Sequence, residues 1–322
     1  MAETAVKTKT TAKVLVSTAG MSREEWFQWR KRGIGGSDAA AILGLDPYRS
    51  AFDVYCEKLG LRPEPEDNEA MRQGRDLEDY VAARFTEKTG KAVRRRNAVL
   101  QHPEHGWMIA NVDRFVVGED AGLECKTTSV LNKARFHRGE YPPHYYVQCM
   151  HYMAVTGARK WYLAVLVLHR DFHVFEVERD EDEIESLIEA ERRFWEEHVV
   201  PQIPPAPDGS DSAAKAIKAM FPEAKQGETV ALFGMEDTLR RIRELDSQIE
   251  DLEREREALK QKVQAEMGTA EFGRAQGYLV SWRNKTRQNL DTARLRQEKP
   301  DVYNAYLKPP QVIREFRIKE VE

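Results

Sequence analysis

Apolar residues recur every three or four positions in several stretches of the chain, a period typical of amphipathic helices. The pattern is clearest in 69–89, which Gly90 ends. The helices predicted in this way are 22–32, 50–59, 69–89, 144–156 and 181–198. A further short, Ala-rich helix follows the Gly-rich turn GIGGS, and Ser37 or Asp38 is its predicted cap.

Short apolar runs with alternating side chains predict strands in the middle of the chain. The predicted strands are 92–100, 107–117, 123–128, 161–168 and 172–178. The turn at 118–122 joins the second and third of them into a β-hairpin. Helices interleaved with strands in this order predict an α/β (α+β) domain with a central sheet.

Composition divides the chain into four parts. Residues 1–21 are small and polar and form a loose lead-in, and 22–200 carry the predicted helices and strands. The segment PQIPPAPDGSDS at 201–212 holds four prolines, which is typical of a linker. A C-terminal extension, 213–322, follows and has its own helices and strands.

The extension contains a charged helix at 235–267, followed by a strand pair around Tyr278, a short helix and a final strand, VIREFRIK. The apolar seam of its charged helix consists of Ile242, Leu245, Ile249, Leu252, Leu259 and Val263. Arg256 interrupts this seam, which argues against a long dry coiled coil. Two interpretations stay open: the helix packs within its own domain, or it contacts a neighbouring subunit or a partner protein.

The composition, 41% hydrophobic and 32% charged, is that of a soluble globular protein. Three widely spaced cysteines exclude a disulfide framework and any zinc or iron–sulfur site built from cysteine alone. No apolar run reaches the roughly 18–20 residues of a membrane helix. The N-terminus lacks the apolar core of a signal peptide, so the expected compartment is the cytoplasm.

The net charge is −4, from 50 Lys and Arg against 54 Asp and Glu, and this average opposes a nucleic-acid partner. The basic residues are concentrated, however, in 84–96, 130–138 and 274–296. In 272–287, cations also alternate with aromatic residues, as in surfaces that stack bases, although a strand with one solvated basic face explains that pattern equally well. The distribution predicts a local, salt-sensitive DNA track.

The hairpin carries the sharpest chemical feature, the spacing D-x₁₀-E-x-K. Glu124 and Lys126 share one face of their strand, and the tight turn brings Asp113, late on the preceding strand, close to Glu124. Paired carboxylates bind hard cations such as Mg²⁺, and a lysine beside the metal orients or helps deprotonate a water. The alternative is an exposed hairpin with an ordinary salt bridge between Glu124 and Lys126.

Two helical residues are further candidates. Glu78 lies one turn after Gly74, and a glycine inside a helix indicates close approach by another group. Glu78 either reaches the metal or is a solvated glutamate. Gln148 lies on an otherwise apolar helix face, where its amide either bonds within the core or faces the site.

Four segments in order make the sequence recognisable: RKRGIGGSDAAAILGLDPY, QGRDLEDYVAARF, NVDRF…GLECKTTS and YYVQCMHYMAVTG. Over 22–198 the chain resembles the YqaJ-type viral recombinase nucleases, relatives of phage lambda exonuclease. The resemblance implies a PD-(D/E)xK restriction-endonuclease-like core: a mixed central sheet flanked by helices. The C-terminal pattern resembles the helical and β extension of longer members.

The resemblance also implies roles, residue by residue. Asp113 and Glu124 match the metal-binding acids, and Glu78 matches the helix acid that completes the metal shell. Lys126 matches the lysine that assists the attacking water. Gln148 matches the glutamine that supports the active site.

The early motif matches the family's site for the DNA 5′ phosphate. Ser37 matches its serine, and Arg30, seven residues earlier, matches its arginine, with Arg32 close enough to leave that choice open. The glycines around Ser37 also let the backbone approach a phosphate at a helix start. One departure is clear, because the family's Asp-Gly is Asp113-Arg114 in this chain.

The function implied is Mg²⁺-dependent hydrolysis of DNA, with Mn²⁺ as a substitute, by a 5′→3′ exonuclease in phage or prophage recombination. A ring-shaped trimer, a single-strand annealing partner and a bacterial host cytoplasm follow from the resemblance alone. The alternatives are an endonuclease or structure-specific nuclease on the same fold, and a DNA-binding recombination scaffold with an idle nuclease site. Cas4-type nucleases are excluded, because they need a cysteine-bound iron–sulfur cluster.

Overall fold

Residues 12–63, 67–131, 136, 139–310 and 312–319 are described by the computed structural model of this chain. They fall into two units, one ending at Phe221 and the other beginning at Pro222. The helices of the first unit are α1 Arg23–Arg30, α2 Gly36–Ile42, α3 Ala51–Leu59, α4 Glu69–Thr89, α5 Pro143–Thr156, α6 Glu181–Phe194, which continues as the π-helical turn Trp195–Val199, and α7 Asp211–Met220. Its strands are β1 Lys13–Ser17, β2 Val93–Arg95, β3 Ala98–Gln101, β4 Ile109–Ala110, β5 Arg114–Val116, β6 Ala121–Thr128, β7 Lys160–Val167 and β8 Asp171–Glu178.

A five-stranded mixed sheet in the order β2-β5-β6-β7-β8 forms the centre of the first unit. Strands β6 and β7 are parallel, and the other neighbours are antiparallel. Parallel strands need a crossover, and α5 lies in that connection. Strand β6 therefore lies in the middle of the sheet, with hydrogen-bonded neighbours on both sides.

Helices cover both faces of this sheet. On one face, Val81 and Phe85 of α4 pack against Leu123 and Tyr162 in a buried cluster. On the other face, α2, α5 and α6 bury a larger cluster that includes Trp161. Because side chains alternate along a strand, Leu123 faces α4 and Glu124 faces α5. The predicted fold class, a mixed central sheet flanked by helices, is confirmed.

Local capping signals explain where the helices begin and end. Ser22 and Ser50 form capping boxes at the starts of α1 and α3, and Gly90 ends α4 in the left-handed conformation. The predicted cap of α2 is wrong, since Gly35 is its N-cap. The carboxylate of Asp38 instead accepts the Gly35 N–H, at 3.0 Å, from inside the first turn.

Two predicted strands are each split between two sheets. The segment 92–100 divides into β2, which pairs with β5, and β3, which pairs with β1 and β4 in a separate three-stranded sheet. The segment 107–117 divides in the same way into β4 and β5. Strand β1 also corrects the lead-in, because its apolar patch pairs with β3 rather than lying loose.

The predicted linker packs against the first unit. The Tyr55 hydroxyl donates to the Gln202 carbonyl at 2.9 Å, the Ser212 hydroxyl donates to Asp53, and Pro205 is buried. Helix α7, which begins at the end of the predicted linker and continues into the predicted extension, packs on α3. The first unit therefore extends past residue 212 to Phe221.

The second unit contains α8 Glu236–Met267, the hairpin of β9 Phe272–Ala275 and β10 Tyr278–Ser281, α9 Thr292–Glu298 and α10 Pro300–Ala305. The predicted charged helix and strand pair are confirmed. The predicted final strand is wrong, because 312–319 form no strand and no helix. None of the unit's described residues is buried. Among the helices of the described chain, none has the length and apolar character that a bilayer crossing requires.

Glycines 74 and 122 offer a matched test of this packing. A Cβ on Gly122 would lie 2.3 Å from the ring of Trp161, whereas one on Gly74 would lie 3.8 Å from Thr127 Oγ1, an ordinary contact. The described residues therefore do not crowd Gly74, contrary to its interpretation as a point of close approach. We expect Gly122→Ala to destabilise the protein by about 1–3 kcal/mol through overpacking. Gly74→Ala should stabilise it by up to about 1 kcal/mol, because alanine is the better helix former.

Urea unfolding of both variants beside the wild type measures the two changes. Equal effects of the two substitutions would contradict the close packing of Gly122 on Trp161.

Candidate active site

The β5–β6 hairpin brings the predicted acids together. Asp113 lies immediately before β5 rather than late on a strand, and its Oδ2 accepts the Cys125 N–H at 2.8 Å. Glu124 and Lys126 share one face of β6, and Lys126 Nζ lies 2.6 Å from Glu124 Oε1. The predicted salt bridge is therefore present, but Glu124 is only 3% exposed. The hairpin is part of the central sheet, not an exposed surface feature.

Helix α5 supplies the next side chain. Gln148 is buried, and its Nε2 donates to Glu124 Oε1 at 2.8 Å and to the Tyr152 hydroxyl at 2.8 Å. Of the two interpretations of Gln148, the structure supports the one in which its amide faces the site. Glu124 Oε1 thus has two partners, whereas Oε2 is buried and has none in the described structure. An unpartnered buried carboxylate oxygen is costly, so this atom fits a cation ligand.

Crowded acids alter the titration of Asp113. Burial, and then the negative charges of Glu124 and Glu78, raise the pKa of Asp113 well above its usual value. Burial opposes the charge on Lys126, but Glu124 and Asp113 outweigh it and raise the lysine pKa above its usual range. The metal-free site therefore favours a protonated Lys126 and resists a full set of ionised acids.

Glu78 extends from α4 towards this group, where Arg114 holds it. The Arg114 guanidinium, 5% exposed, pairs with Glu78 Oε1 and, at 2.6 Å, with Asp79 Oδ1. It also donates to the Asp113 carbonyl at 2.8 Å. In the part of the chain that the structure describes, no three Asp, Glu, His or Cys side chains converge as a ready-made metal cage. The pair with Arg114 engages one of the oxygens that Glu78 would offer.

Arg114 is evident in the sequence only as a departure from the family pattern. Its partners on α4 could not be predicted, because the pair with Asp79 joins elements that are 35 residues apart and no local spacing signals it. A buried arginine next to a candidate metal ligand is itself a signal, since a buried guanidinium needs carboxylate partners.

The early motif forms a second polar cluster. Arg30 Nη1 donates to Ser37 Oγ at 3.2 Å, and Arg30 Nη2 pairs with Asp38 Oδ1 at 2.7 Å. Arg32 points elsewhere: it is exposed, and its guanidinium lies 4.1 Å from the ring centroid of Trp29. The structure thus brings Arg30, and not Arg32, to Ser37.

Cations outnumber acids in this cluster. Burial opposes ionisation of Asp38, but Arg30, Lys58 and Arg49 hold its pKa well below the usual value. Lys58 Nζ lies 2.6 Å from Asp38 Oδ2. Other pairs join Arg30 and Arg49 to Glu57, and Arg62 to Asp53. Four cations face three carboxylates, so the field near Ser37 is positive on balance, and Arg49 and Lys58 are members that the sequence motifs did not reveal.

A close helix contact joins the two clusters. A Cβ on Gly36 would lie 2.6 Å from the Tyr152 ring and 3.2 Å from Gln148 Cγ. Helix α2 therefore approaches α5 at the residues that support Glu124, and Ser37 follows Gly36 directly. The glycine-rich turn is explained by packing, and it places the positive cluster beside the acids.

Several cations of the predicted basic segments already form ion pairs or ring contacts within the chain. In 84–96, Arg84 pairs with Glu87, Lys91 with Glu119 and Arg95 with Asp79. Of the segment 130–138, the basic residues Lys133, Arg135 and Arg138 lie outside the described residues. In 272–287, Arg283 lies 5.6 Å from the ring centroid of Phe272, so a cation and an aromatic ring do meet there.

Comparison with known proteins gives the family. The family model of the YqaJ-like viral recombinase domain matches residues 25–159. The uncharacterized protein YqaJ of Bacillus subtilis (strain 168) is 38% identical over 314 residues, which cover 96% of this chain and 98% of that protein. The chain belongs to the YqaJ family. The recognition made from the four motifs is confirmed, and the family places the chain among enzymes of viral recombination.

Two solved structures are similar to slightly more than half of this chain. An alkaline exonuclease of Laribacter hongkongensis is 24% identical with a TM-score of 0.49, over 56% of this chain and 94% of that one. A phage-related exonuclease of Haemophilus somnus 129PT is 11% identical with a TM-score of 0.41, over 55% of this chain and 99% of that one.

The raised pKa of Asp113 predicts a pH-dependent stability. Folding raises this pKa, so Asp113 destabilises the metal-free protein at neutral pH, and the penalty fades as pH falls through the raised value. We expect Asp113→Asn to be more stable than the wild type at neutral pH, by about 1.4 kcal/mol for each unit of the raised pKa. The difference should shrink towards acid pH. Urea unfolding in a chelator, at several pH values, measures it.

The exposed Asp171 provides the control, because Asp171→Asn should show no such trend. A destabilised Asp113→Asn variant, or a difference that is constant with pH, would contradict the crowding of the acids.

Proposed function

We propose that this YqaJ family member is a Mg²⁺-dependent DNA exonuclease that digests duplex ends 5′→3′ in phage-type recombination by single-strand annealing. The observation that carries the proposal is the buried Glu124, with Lys126 and Gln148 on one carboxylate oxygen and no described partner on the other. Family membership supports recombination as its setting. The polarity and the annealing pathway rest on the resemblance of the motifs.

The donor set fits a hard divalent cation. Oxygen ligands suit Mg²⁺, and the free oxygen of Glu124 and the crowded Asp113 would each gain from a positive charge. Glu78, Asp113 and Glu124 would hold the ion, and Mn²⁺ would substitute for it. When bound, such a cation supplies positive charge that stabilises the attacking and leaving oxygens of a phosphodiester.

Lys126 would act as a positioned cation. Burial lowers its pKa, but Glu124 and Asp113 outweigh burial and raise it, so without a bound ion the side chain is an ammonium that donates hydrogen bonds. Its Nζ is anchored 2.6 Å from Glu124 Oε1, and its remaining hydrogens are available to orient a water or a phosphate oxygen. Gln148 donates from α5 to the same carboxylate and so would hold Glu124 and Lys126 in their relative positions.

The cluster around Ser37 would receive the 5′ phosphate of the DNA end. Arg30 is 16% exposed at its side chain and donates to Ser37 Oγ, so both groups line one positive surface. A phosphate adds negative charge, which the surplus of cations there accommodates. The contact of Gly36 with α5 supports this proposal, because it brings α2 close to the helix whose Gln148 binds Glu124.

The remaining partners belong to the same proposal. The substrate would be the end of double-stranded DNA, and the product strand would pass to a single-strand annealing protein. A homo-oligomer, a trimer by family resemblance, would encircle the DNA in the cytoplasm of a bacterial host.

The central test is digestion of 5′-phosphorylated linear duplex in Mg²⁺. We expect Lys126→Ala and Glu124→Gln each to lower the rate at least about 100-fold, because each removes charge from the reacting phosphate's surroundings. Lys160→Ala is the matched control, since that lysine lies on the adjacent strand and pairs with Glu176. Calorimetric Mn²⁺ binding should also be lost in Glu124→Gln.

Three results would overturn parts of this proposal. Cutting of a closed circular duplex would favour an endonuclease. Full activity in both variants would mean that the observed nuclease lies elsewhere. Duplex binding by a wild type that never cuts would favour a recombination scaffold with an idle site.

The 5′-phosphate site has its own test. We expect Ser37→Ala to reduce the preference for 5′-phosphorylated over 5′-hydroxyl duplex by about tenfold, the value of one hydrogen bond to a charged group. Arg30→Lys should reduce it as well while keeping a cation beside Asp38. Arg32→Ala should leave the ratio unchanged, because that side chain lies over Trp29. Loss of the preference in Arg32→Ala alone would reverse the assignment.

A further inference from the structure

The β9–β10 hairpin and the segment after it form a stretch of the chain without any acid. Residues 272–290 contain no Asp or Glu, although the net charge of the whole chain is −4. Their cations are Arg274, Arg283, Lys285 and Arg287, and their aromatic residues are Phe272, Tyr278 and Trp282. Within the described part of the chain none of these four cations has a carboxylate partner, whereas Arg240 and Arg254 of α8 pair with acids of their own helix. The stretch therefore carries a positive charge that the described structure does not balance.

The register of the hairpin places cations and an aromatic ring on one face. Residues opposite one another in an antiparallel pair share a face, as do alternate residues of one strand. Phe272 lies opposite Ser281, and Arg274 lies opposite Leu279. The Arg283 guanidinium lies 5.6 Å from the ring centroid of Phe272, so this arginine belongs to the same face. The open face of the hairpin thus consists of Phe272, Arg274, Leu279, Ser281 and Arg283.

The other face of the hairpin packs on the end of α8. A Cβ on Gly273 would lie 3.4 Å from Met267 Cγ, an ordinary contact, and Val280, opposite Gly273, is partly buried. On the open face, Phe272 is 51% exposed and Leu279 is 65% exposed. A strand with one core face and one solvated basic face would place Phe272 on the side of Met267. The phenyl ring lies among the arginines instead.

We propose that the open face binds single-stranded DNA, with a base stacked on Phe272 and backbone phosphates paired with Arg274 and with the cations that follow β10. Surfaces that bind single strands combine a cationic track for the backbone with aromatic rings on which bases stack. The open face supplies both within one short hairpin. Arg283 beside the ring adds a cation–π contribution to the same site.

Charge and shape favour this ligand over other partners. An acidic peptide would satisfy the cations but offers no flat ring to Phe272, whereas a nucleic-acid strand offers phosphates and base faces in alternation. In a duplex the base faces are covered by stacking on one another, so a phenyl ring on a protein surface gains little from them. The choice of DNA over RNA rests on the proposed function, because digestion from one end leaves the other strand unpaired. The binding itself uses no residue of the first unit.

Fluorescence anisotropy with the full-length protein and a labelled oligothymidylate of about 20 nucleotides, longer than most single-strand sites, tests the proposal. A chelator in the buffer prevents digestion during the measurement. We expect Phe272→Leu to weaken binding about fivefold or more at every salt concentration, because it removes the ring but keeps an apolar side chain. Phe272→Trp should bind as the wild type does, since it keeps a ring.

Arg274→Ala should have a different signature, because it removes a phosphate contact. Its affinity should fall, and the slope of log affinity against log salt should become shallower by about 0.7, the value of one phosphate contact on a single strand. Phe272→Leu should leave that slope unchanged. Arg296→Ala is the matched control: its guanidinium lies 5.9 Å from the ring centroid of Tyr303, a pair of the same kind in the same unit but outside the acid-free stretch. It should change neither the affinity nor the slope.

Four results would overturn the proposal or part of it. Wild-type affinity in both Phe272→Leu and Arg274→Ala would remove the site, and so would an equal loss in Arg296→Ala. Equal weakening of Phe272→Leu on a blunt duplex would contradict a single-strand site. Tighter, Phe272-dependent binding of an oligouridylate of the same length would overturn the choice of DNA.

The same assay separates this inference from the nuclease proposal, because no bond is cut in the chelator. A protein that binds the oligothymidylate through Phe272 but never digests duplex supports the single-strand site and overturns only the nuclease proposal. A protein that digests duplex while its Phe272→Leu variant binds the oligothymidylate unchanged does the reverse.

Discussion

The burial of one carboxylate, Glu124, organises the first unit. Strand β6 has hydrogen-bonded neighbours on both sides, so its side chains are fixed in direction, and Glu124 must face the helix layer. A buried charge is tolerated only with partners, and Lys126 and Gln148 supply them from β6 and α5. Because Gln148 has to reach the sheet, α5 must pack at one depth and rotation. The same contact between Gln148 and Glu124 thus determines both the geometry of the candidate site and the packing of α5.

The same constraint extends to the early motif through α2. Only a glycine at 36 lets α2 come as close to Tyr152 as it does, and Tyr152 is the second acceptor of the Gln148 amide. Helix α2 carries Ser37 and the buried Asp38, around which the cations gather. An acid-rich cluster and a cation-rich cluster are therefore joined by one helix contact. This arrangement suits a substrate that offers a terminal phosphate at one point and a scissile phosphodiester at another.

Local signals in the sequence predict much of this fold and site. The predicted helices 22–32, 50–59 and 69–89 are present, with Gly90 ending the third of them, and strand alternation alone is enough to put Glu124 and Lys126 on one face. The strand predictions that were wrong concern segments whose structure depends on partners far away in the sequence. The segment 92–100 is predicted as one strand, yet its first part pairs with β5 and its last part pairs with β1. The final segment, 312–319, has a strand pattern but no strand to pair with in the described chain. A short segment of sequence does not show which distant strand it will pair with.

Arg114 shows how such a distant pair can matter for the chemistry. Three acids, Glu78, Asp113 and Glu124, crowd one end of the hairpin, and burial together with their repulsion raises the pKa of Asp113. The structure offsets it with two internal cations, Lys126 on Glu124 and Arg114 on Glu78. A divalent ion bound by the three acids would take over the charge balance that Arg114 provides, so Glu78 would exchange an arginine for a metal. A glycine at 114, the family pattern, has no cation to exchange. In the proposed site, the arginine would therefore balance the charge of Glu78 when no ion is bound and would compete with the ion for that carboxylate.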